Sequence, residues 1–497
     1  MKTLKVMLLC TVVFCVVASS AEVKLSPNSY PEWFQSAIQP LLMMDKENAV
    51  VPFIKALEGK KSKSSKKQKE STKKEEVKDA NLLRVEGGRV ASIVDNVDLS
   101  MELLTPCLER FRAQETEAVV SVSKTARKAG STIAGEGINL YEEKPFEKVM
   151  VYSQQALNYL VKNNLEGAMV ELRNADAEQK RAAEKYAKEM EKVKSEGKDV
   201  NYDEVIQKNY AGLDELVGQV KSSFQNAYSF YLYGVISECS GVREGRPSDI
   251  NDAYIAYKDA LEICPENVYI QRDLIRLAKV LNMADDYKEL IQRFPQHASA
   301  FENYQPNNDS GHLVVIFEDG LVPRLHEISI SIPGPDGELT MSFPTYSAED
   351  KREPRAMEVR IDSNSMSGNT EVLCNTAGLA AKSLKERLPG MIVREVIQTL
   401  ALGVAQHQAK KKLGALGSIG VSALDKAISK ADLRGIYSLP YYIQCFRTEV
   451  SPGTHTVTLS PSGAGEVNLE VDVKPKSFTI IRVTCIENAV YHKVIQL

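Results

Sequence analysis

The sequence predicts a multidomain α+β chain: an α-helical array first, then an antiparallel β-sandwich-like domain carrying a helical insertion. Three observations predict it. From Asn81 to about Gln305, apolar residues recur at three and four positions, as on one face of a helix. From Gly311 onward the apolar period changes to two, which marks half-buried strands. Within that β region, residues 375–430 return to helical spacing.

The chain opens with MKTLKVMLLCTVVFCVVASSAEV. Lys2 and Lys5 precede an apolar run, Val6 to Val17, and the small residues Ala18, Ser19, Ser20 and Ala21 follow. A signal-peptide core spans about 7–15 apolar residues, whereas a membrane span needs about 20. Residues 1–21 are therefore expected to be a signal peptide cleaved near Ala21. The protein is expected to be exported to the periplasm or cell envelope. A lipoprotein needs a Cys behind small residues; Cys15 instead follows the bulky Val12, Val13 and Phe14.

The 497 residues hold 62 basic and 66 acidic side chains; loss of Lys2 and Lys5 with the leader leaves 60 against 66. That mild acidity gives no reason to expect a nucleic-acid partner. Six Cys lie beyond the leader: Cys107, Cys239, Cys264, Cys374, Cys445 and Cys485. None forms a C-x-x-C pair, so no zinc ribbon or thioredoxin-like centre is indicated. Export permits disulfides. Cys445 and Cys485, on two expected strands, either pair or remain buried thiols.

Residues 22–58 are apolar enough to pack, with Trp33 and Phe34 in PEWFQSAIQPLL. Residues 59–80 form a Lys-rich linker: between 59 and 79 stand nine Lys, three Glu and one Asp, with Val77 the one large apolar residue. Such a segment has nothing to bury and is expected to be disordered. Residues 81–305 are the helical array, with a loop at GVREGRPSD. In 311–497 the expected strands are HLVVIFEDG, LHEISISIP, ELTMSF, MEVRID, YYIQCF, HTVTLS, VNLEVDV and FTIIRVTC.

Two segments of the array share one spacing. Ala156 and Tyr159 lie on one helix, and Ala168, Leu172 and Ala175 lie on the next. Ala253, Tyr257 and Ala260 repeat that four-then-three spacing, and Pro265 follows. Helices cross closely only where a small residue meets the partner, and a larger residue one turn on fills the groove beside it. Proline then ends the helix. The pattern resembles the tetratricopeptide repeat, whose unit is about 34 residues. Residues 268–294 fit a third unit loosely, so the array has two or three units.

The wider order of YEEKPFEKVMVYSQQALNYLVKNNLEGAMVELRNADAEQ, VVIFEDGLVPR and LPYYIQCFRTEVSPGTHTVTL is similar to an uncharacterised family of bacterial envelope proteins and lipoproteins. These carry tetratricopeptide-like helices and a β-rich C-terminal part. The resemblance covers roughly 90–497. It implies export and fold order, and it brings no substrate, cofactor or catalytic residue.

Residue patterns for catalysis are not found. The six His are His297, His312, His326, His407, His455 and His492, and none pairs at the i, i+4 spacing of a metal-binding helix. There is no G-x-S-x-G elbow or P-loop. Glu142–Glu143 and Asp285–Asp286 read as solvated charge, because sequence neighbours do not face one another on a helix. Glu318 and Asp319, before Gly320, read as a turn.

The expectation is a non-catalytic scaffold of the cell envelope, without metal or cofactor. Its helical hairpins would bind a protein or peptide partner. Tyr228 and Tyr231, in SFYLYG, are core residues or else grip that partner, since aromatic side chains make good interface anchors. The alternative is a membrane-surface role for 379–413. That stretch mixes apolar residues with Lys382, Lys385, Arg387, Lys410, Lys411 and Lys412.

Overall fold

The computed structural model describes residues 25–59, 77, 79–120, 140–198, 200–305, 309–334, 337–362, 366–399 and 430–497. The expected signal peptide, nearly all of the Lys-rich linker and residues 400–429 of the insertion lie outside them. The described chain is mixed α/β, with a largely helical first half and a β-rich second half.

The helices are α1 (Tyr30–Ala37), α2 (Gln39–Leu42), α3 (Val51–Glu58), α4 (Ala80–Ile93), α5 (Val97–Val120), α6 (Pro145–Val161) and α7 (Leu165–Glu196). Then come α8 (Tyr202–Asn209), α9 (Leu213–Val217), α10 (Ala227–Glu244), α11 (Pro247–Ile263), α12 (Val268–Val280), α13 (Ala284–Arg293) and α14 (Ala298–Glu302). A last helix, α15, covers 376–399.

Local chemistry sets these ends. Asn164 accepts Gly167 N–H at 2.8 Å, and Asn267 accepts those of Tyr269 and Ile270 at 3.1 Å each. Such side chains satisfy N–H groups that the first turn leaves unpaired. Pro145 and Pro247 open α6 and α11, where the missing N–H costs nothing. Gly245 ends α10 in the left-handed conformation, φ 63°.

Helices α6 and α7 pack side by side, as do α10 and α11. Ala156, Ala168, Ala175, Ala253 and Ala260 are all 0 % exposed, and Leu172 and Tyr257 are buried beside them. Tyr159 and Pro265 are half-buried. Close approach reaches the glycine limit at Gly234 of α10, where an added Cβ would run into the Tyr257 ring of α11.

Eleven strands follow among the described residues: β1 (Gly311–Asp319), β2 (His326–Gly334), β3 (Gly337–Thr345), β4 (Met357–Ile361), β5 (Met366–Asn369), β6 (Glu371–Asn375), β7 (Tyr442–Val450), β8 (Gly453–Pro461), β9 (Val467–Val473), β10 (Phe478–Ile486) and β11 (Ala489–Gln496). They make a five-stranded sheet in the order β11-β10-β1-β7-β6, a β2-β3 hairpin, and a four-stranded sheet β5-β4-β8-β9. The eight expected strands are present. β5, β6 and β11 went unforeseen.

The expectation of antiparallel pairing is corrected at the centre of the large sheet. β1 runs parallel to β10, with His312 beside Phe478 and Asp319 beside Cys485. Every residue of β1 and β10 is buried, so both faces of these strands are covered. That burial explains their continuous apolar runs, the usual signature of strands with two covered faces.

One apolar cluster runs from Tyr30 through the helices and both larger sheets to Leu497. A second surrounds α15, where Leu388 and Ile392 pack with Leu213, Leu216 and Phe343. The six Cys in the described chain are free. Cys445 sits opposite Ile316 and Cys485 opposite Asp319, so the two lie on opposite faces of the sheet with β1 between them. A disulfide needs Cα atoms within about 7 Å, and this pair is two strands apart.

Candidate functional site

Alternation along β1 directs His312, Val314, Ile316 and Glu318 to one face, and that face meets the helices. Two buried ion networks join them there. In the first, Glu318 accepts both Arg89 (α4) nitrogens at 3.1 and 2.9 Å, Arg482 (β10) at 3.0 Å and the Thr484 hydroxyl at 2.7 Å. Gln154 (α6) bridges the two arginines through its oxygen, at 2.8 and 2.9 Å. Burial pushes the Glu318 carboxyl up, but Arg482 and Arg89 outweigh it and hold the group down at about 2.

In the second network, Glu238 (α10) pairs with Arg276 (α12) at 2.6 Å and Arg447 (β7) at 2.9 Å, and accepts the Tyr257 hydroxyl at 3.0 Å. Asp273 takes Arg276 at 3.0 Å, Arg447 at 3.2 Å and the Tyr231 hydroxyl at 3.2 Å. Burial raises the Glu238 carboxyl, and the two arginines drive it far below the usual range. His312, whose Nε2 lies 3.9 Å from Glu238, is held well below its ordinary value by burial and then by Arg447 and Arg276.

These networks are closed to solvent: Glu318 and Glu238 are each 1 % exposed. What they do is fasten the sheet to the helices. A partly neutralised buried charge is costly, so each arginine favours the docked state over any arrangement that strips its carboxylate away. The helix faces that meet the sheet are therefore occupied by the chain itself. Tyr228 and Tyr231 lie in that interface, 1 % and 0 % exposed, and line no open groove.

Several charged residues read differently in sequence. Glu318 and Asp319 are buried strand residues, not a turn. Asp319 takes the Arg355 N–H at 3.0 Å and sits 3.1 Å from Arg352. Glu143, expected in water, is buried with neither oxygen hydrogen-bonded among the described residues. Burial raises its carboxyl. Asp286 accepts the Tyr254 hydroxyl at 2.6 Å. The histidines stay apart: His455 bonds Asp362 at 2.6 Å, His297 bonds Gln271 at 2.9 Å, and His407 lies outside the described residues.

Glu238, Arg447 and Arg482 were missed, although each is the one charge in an apolar stretch: VISECSG, YYIQCFRT and TIIRVTC. That is the signal of a paired, buried ion.

Among the described residues, apolar side chains reach solvent at Leu140 and at Ile397 of α15, and in two further places. An open groove of about 530 Å³ lies between α3 and the α4–α5 turn, lined by Val51, Ile54, Val94 and Leu99 with Lys46 and Lys55. Nearby in sequence, Met43 is 75 % and Met44 49 % exposed. On the hairpins, Val170 of α7 is 40 % and Ile255 of α11 49 % exposed.

The part of 379–413 that is described turns its apolar face inward: Leu379, Leu384, Leu388, Ile392 and Val396 are buried. Lys385 contacts Asp214, and Lys382 lies 3.8 Å from Glu386. Residues 400–413, with Lys410, Lys411 and Lys412, lie outside the described residues.

Among the described residues, no helix is long and apolar enough to cross a membrane. None of their His, Cys, Asp and Glu side chains gather in threes able to hold a metal ion. Compared with protein-family models, curated proteins and solved structures, the chain matches none. What its geometry defines is a class: a mixed α/β protein whose helical half is clamped to its own sheet by buried ion pairs.

Proposed function

We propose that this is a non-catalytic interaction protein, exported to the bacterial cell envelope. Tetratricopeptide-like hairpins, α6–α7 and α10–α11, dock on a sandwich-like pair of sheets and present their outer helices to a protein or peptide partner. The buried small residues at the two matched sets of positions support the repeat reading. The sheet covers the first helix of each hairpin, through Gln154 on α6 and Glu238 on α10, so partner binding falls to the second helices.

One observation carries the binding surface. Val170 stands two residues beyond Ala168, and Ile255 stands two residues beyond Ala253. The same position of both hairpins thus exposes a large β-branched apolar side chain. Apolar residues at repeated places on an outer face mark contact sites more than scattered ones do.

A photo-crosslinking residue at 170 and another at 255, each in intact cells, should capture one common protein. The same probe at exposed Glu189 should not. The combined Val170→Glu and Ile255→Glu chain should keep its circular dichroism and lose that capture. Equal labelling from all three positions would remove the proposal.

A further inference from the structure

At Ser451-Pro452 the chain turns from β7 of the five-stranded sheet into β8 of the four-stranded one. Gly453 opens β8 at φ 142°, where an L side chain rarely sits. His455 follows two residues on, on the covered face of β8 with Val457 and Leu459.

The His455 ring is held at both nitrogens. Nδ1 lies 2.6 Å from Asp362 Oδ2, at the end of β4, and Nε2 lies 2.7 Å from the Ser451 carbonyl oxygen. The second Asp362 oxygen accepts Thr456 N–H at 3.0 Å, and Asp362 N–H donates to Thr456 O at 2.9 Å. One imidazole thus ties the turn that leaves β7 to the last residue of β4.

These partners count the protons. A carbonyl oxygen only accepts, so Nε2 carries a hydrogen. An ionised carboxylate only accepts, so Nδ1 carries another. A neutral ring beside an ionised Asp362 has one N–H for two acceptors, and at one contact lone pair would meet lone pair. A proton resting on the carboxyl in place of Nδ1 leaves the same total in the pair.

The charges nearby agree with the geometry. Burial pulls the His455 ring down, but the bonds to Asp362 and the Ser451 carbonyl outweigh it and raise the ring above its ordinary 6.5. Asp362 is the one charged group, among the described residues, that bears on the ring. On β9, Val471 lies opposite His455, while Glu470 and Asp472 lie opposite the exposed Thr456 and Thr454. On β7, Glu449 accepts the Tyr304 hydroxyl at 2.8 Å. Lys474, past the Val473 that pairs with Gly453, is exposed. Burial moves His297, His312 and His492 the opposite way, downward.

We infer that His455 is a doubly protonated pin: as an imidazolium it fastens the β7–β8 corner to the end of β4, and loss of its proton weakens that corner. A group raised in the folded chain contributes fully below its ordinary value, and the contribution is lost as pH climbs through the raised one. The sign is opposite to that of Glu318 and Glu238, whose contributions are lost in acid.

The full chain labelled with 15N-histidine reads the ring directly. At pH 7 His455, assigned through its own backbone, should show two protonated ring nitrogens, with a midpoint above 6.5. Amide exchange of Thr456, corrected for intrinsic rate, should quicken between pH 6.5 and that midpoint by up to about tenfold per unit, then level off. Asp362→Asn should bring the midpoint down to 6.5 or below and flatten the exchange profile. The wild-type titration decides the matter should D362N not fold. A wild-type ring with one N–H at pH 7 would overturn the pin. So would Thr456 exchange with no such dependence, or a midpoint unmoved by D362N.

Discussion

At the scale of single residues, the strongest constraints are charges in places built for apolar side chains. Glu318 stands at the junction of Arg89 and Arg482, all within a few per cent of complete burial. Replacing Glu318 with Ala leaves two guanidinium groups buried with only neutral partners. Removing one partner of a buried pair costs about 3–5 kcal/mol, and urea denaturation should show a loss of that size. An exposed carboxylate such as Glu189 should change stability by less than about 0.5 kcal/mol when replaced. Gly234 supplies a steric test. Gly234→Ala puts a methyl where the Tyr257 ring lies, and overpacking of this kind costs about 1–3 kcal/mol. Tyr257→Leu in the same chain should relieve part of that cost while giving up the Glu238 bond. The same two carboxylates set a pH response. Glu318 is held at about 2, against an ordinary Glu value of about 4.3. Its depressed value means its contribution is present above the ordinary range and is lost as pH falls toward 2. Glu238 acts in the same direction. Acid unfolding should therefore begin below about pH 4, and the slope of stability against pH in that range should flatten in Glu318→Gln. An unchanged slope would mean that Glu318 titrates alike in the folded and unfolded chain.

At the scale of elements, α15 offers the plainest test of packing. Its residue Leu388 is 0 % exposed in the cluster that joins α9 and the β2-β3 hairpin. Leu388→Ala should cost about 2–5 kcal/mol, read by thermal unfolding. A near-neutral result would show that this helix docks without depending on that face. The elements themselves were largely legible, for physical reasons. β2 and β9 alternate apolar and polar residues, and α6, α7 and α11 keep small residues at the spacing where helices must touch. β5 and β6 were not legible because MSGN and EVLCN are short and lack a period. β11 was missed because AVYHKVIQ mixes charge with apolar residues at no clear interval. The parallel pairing of β1 with β10 was hidden for another reason. The two strands are separated by more than 150 residues, and register over that distance is set by which faces find cover, not by any local turn. Of the candidate site, the packing alanines were visible. The ion networks were not, since a lone Glu in α10 and lone Arg residues in β7 and β10 acquire meaning only when the fold brings them together.

At the scale of the whole molecule, the apolar cluster that runs from Tyr30 to Leu497 makes the helices and the large sheet interdependent. The helical half exposes nothing like a finished surface toward β1, β7 and β10. Without them Arg89, Glu238, Asp273 and Arg276 would keep their charges on an apolar face, with Glu318, Arg447 and Arg482 gone. A chain cut down to 81–305 should therefore be unstable or aggregate, because the networks it leaves half-built destabilise the docked helix faces. In the full chain, the far-ultraviolet helix signal and the Trp33 emission report distant regions: the long hairpins and the N-terminal segment against α3. The two should lose structure at one temperature, as coincident probes do when unfolding is cooperative. Helices that melt first, with the Trp33 environment intact, would mean that the ion networks bind the halves too weakly to couple them. The sheet would then be a separate body on which the hairpins merely rest. Arg447→Met is the variant that should push the molecule toward that state. It removes the one side chain that touches Glu238, Asp273 and Tyr257 together, so its two melting curves should separate where the wild-type curves coincide.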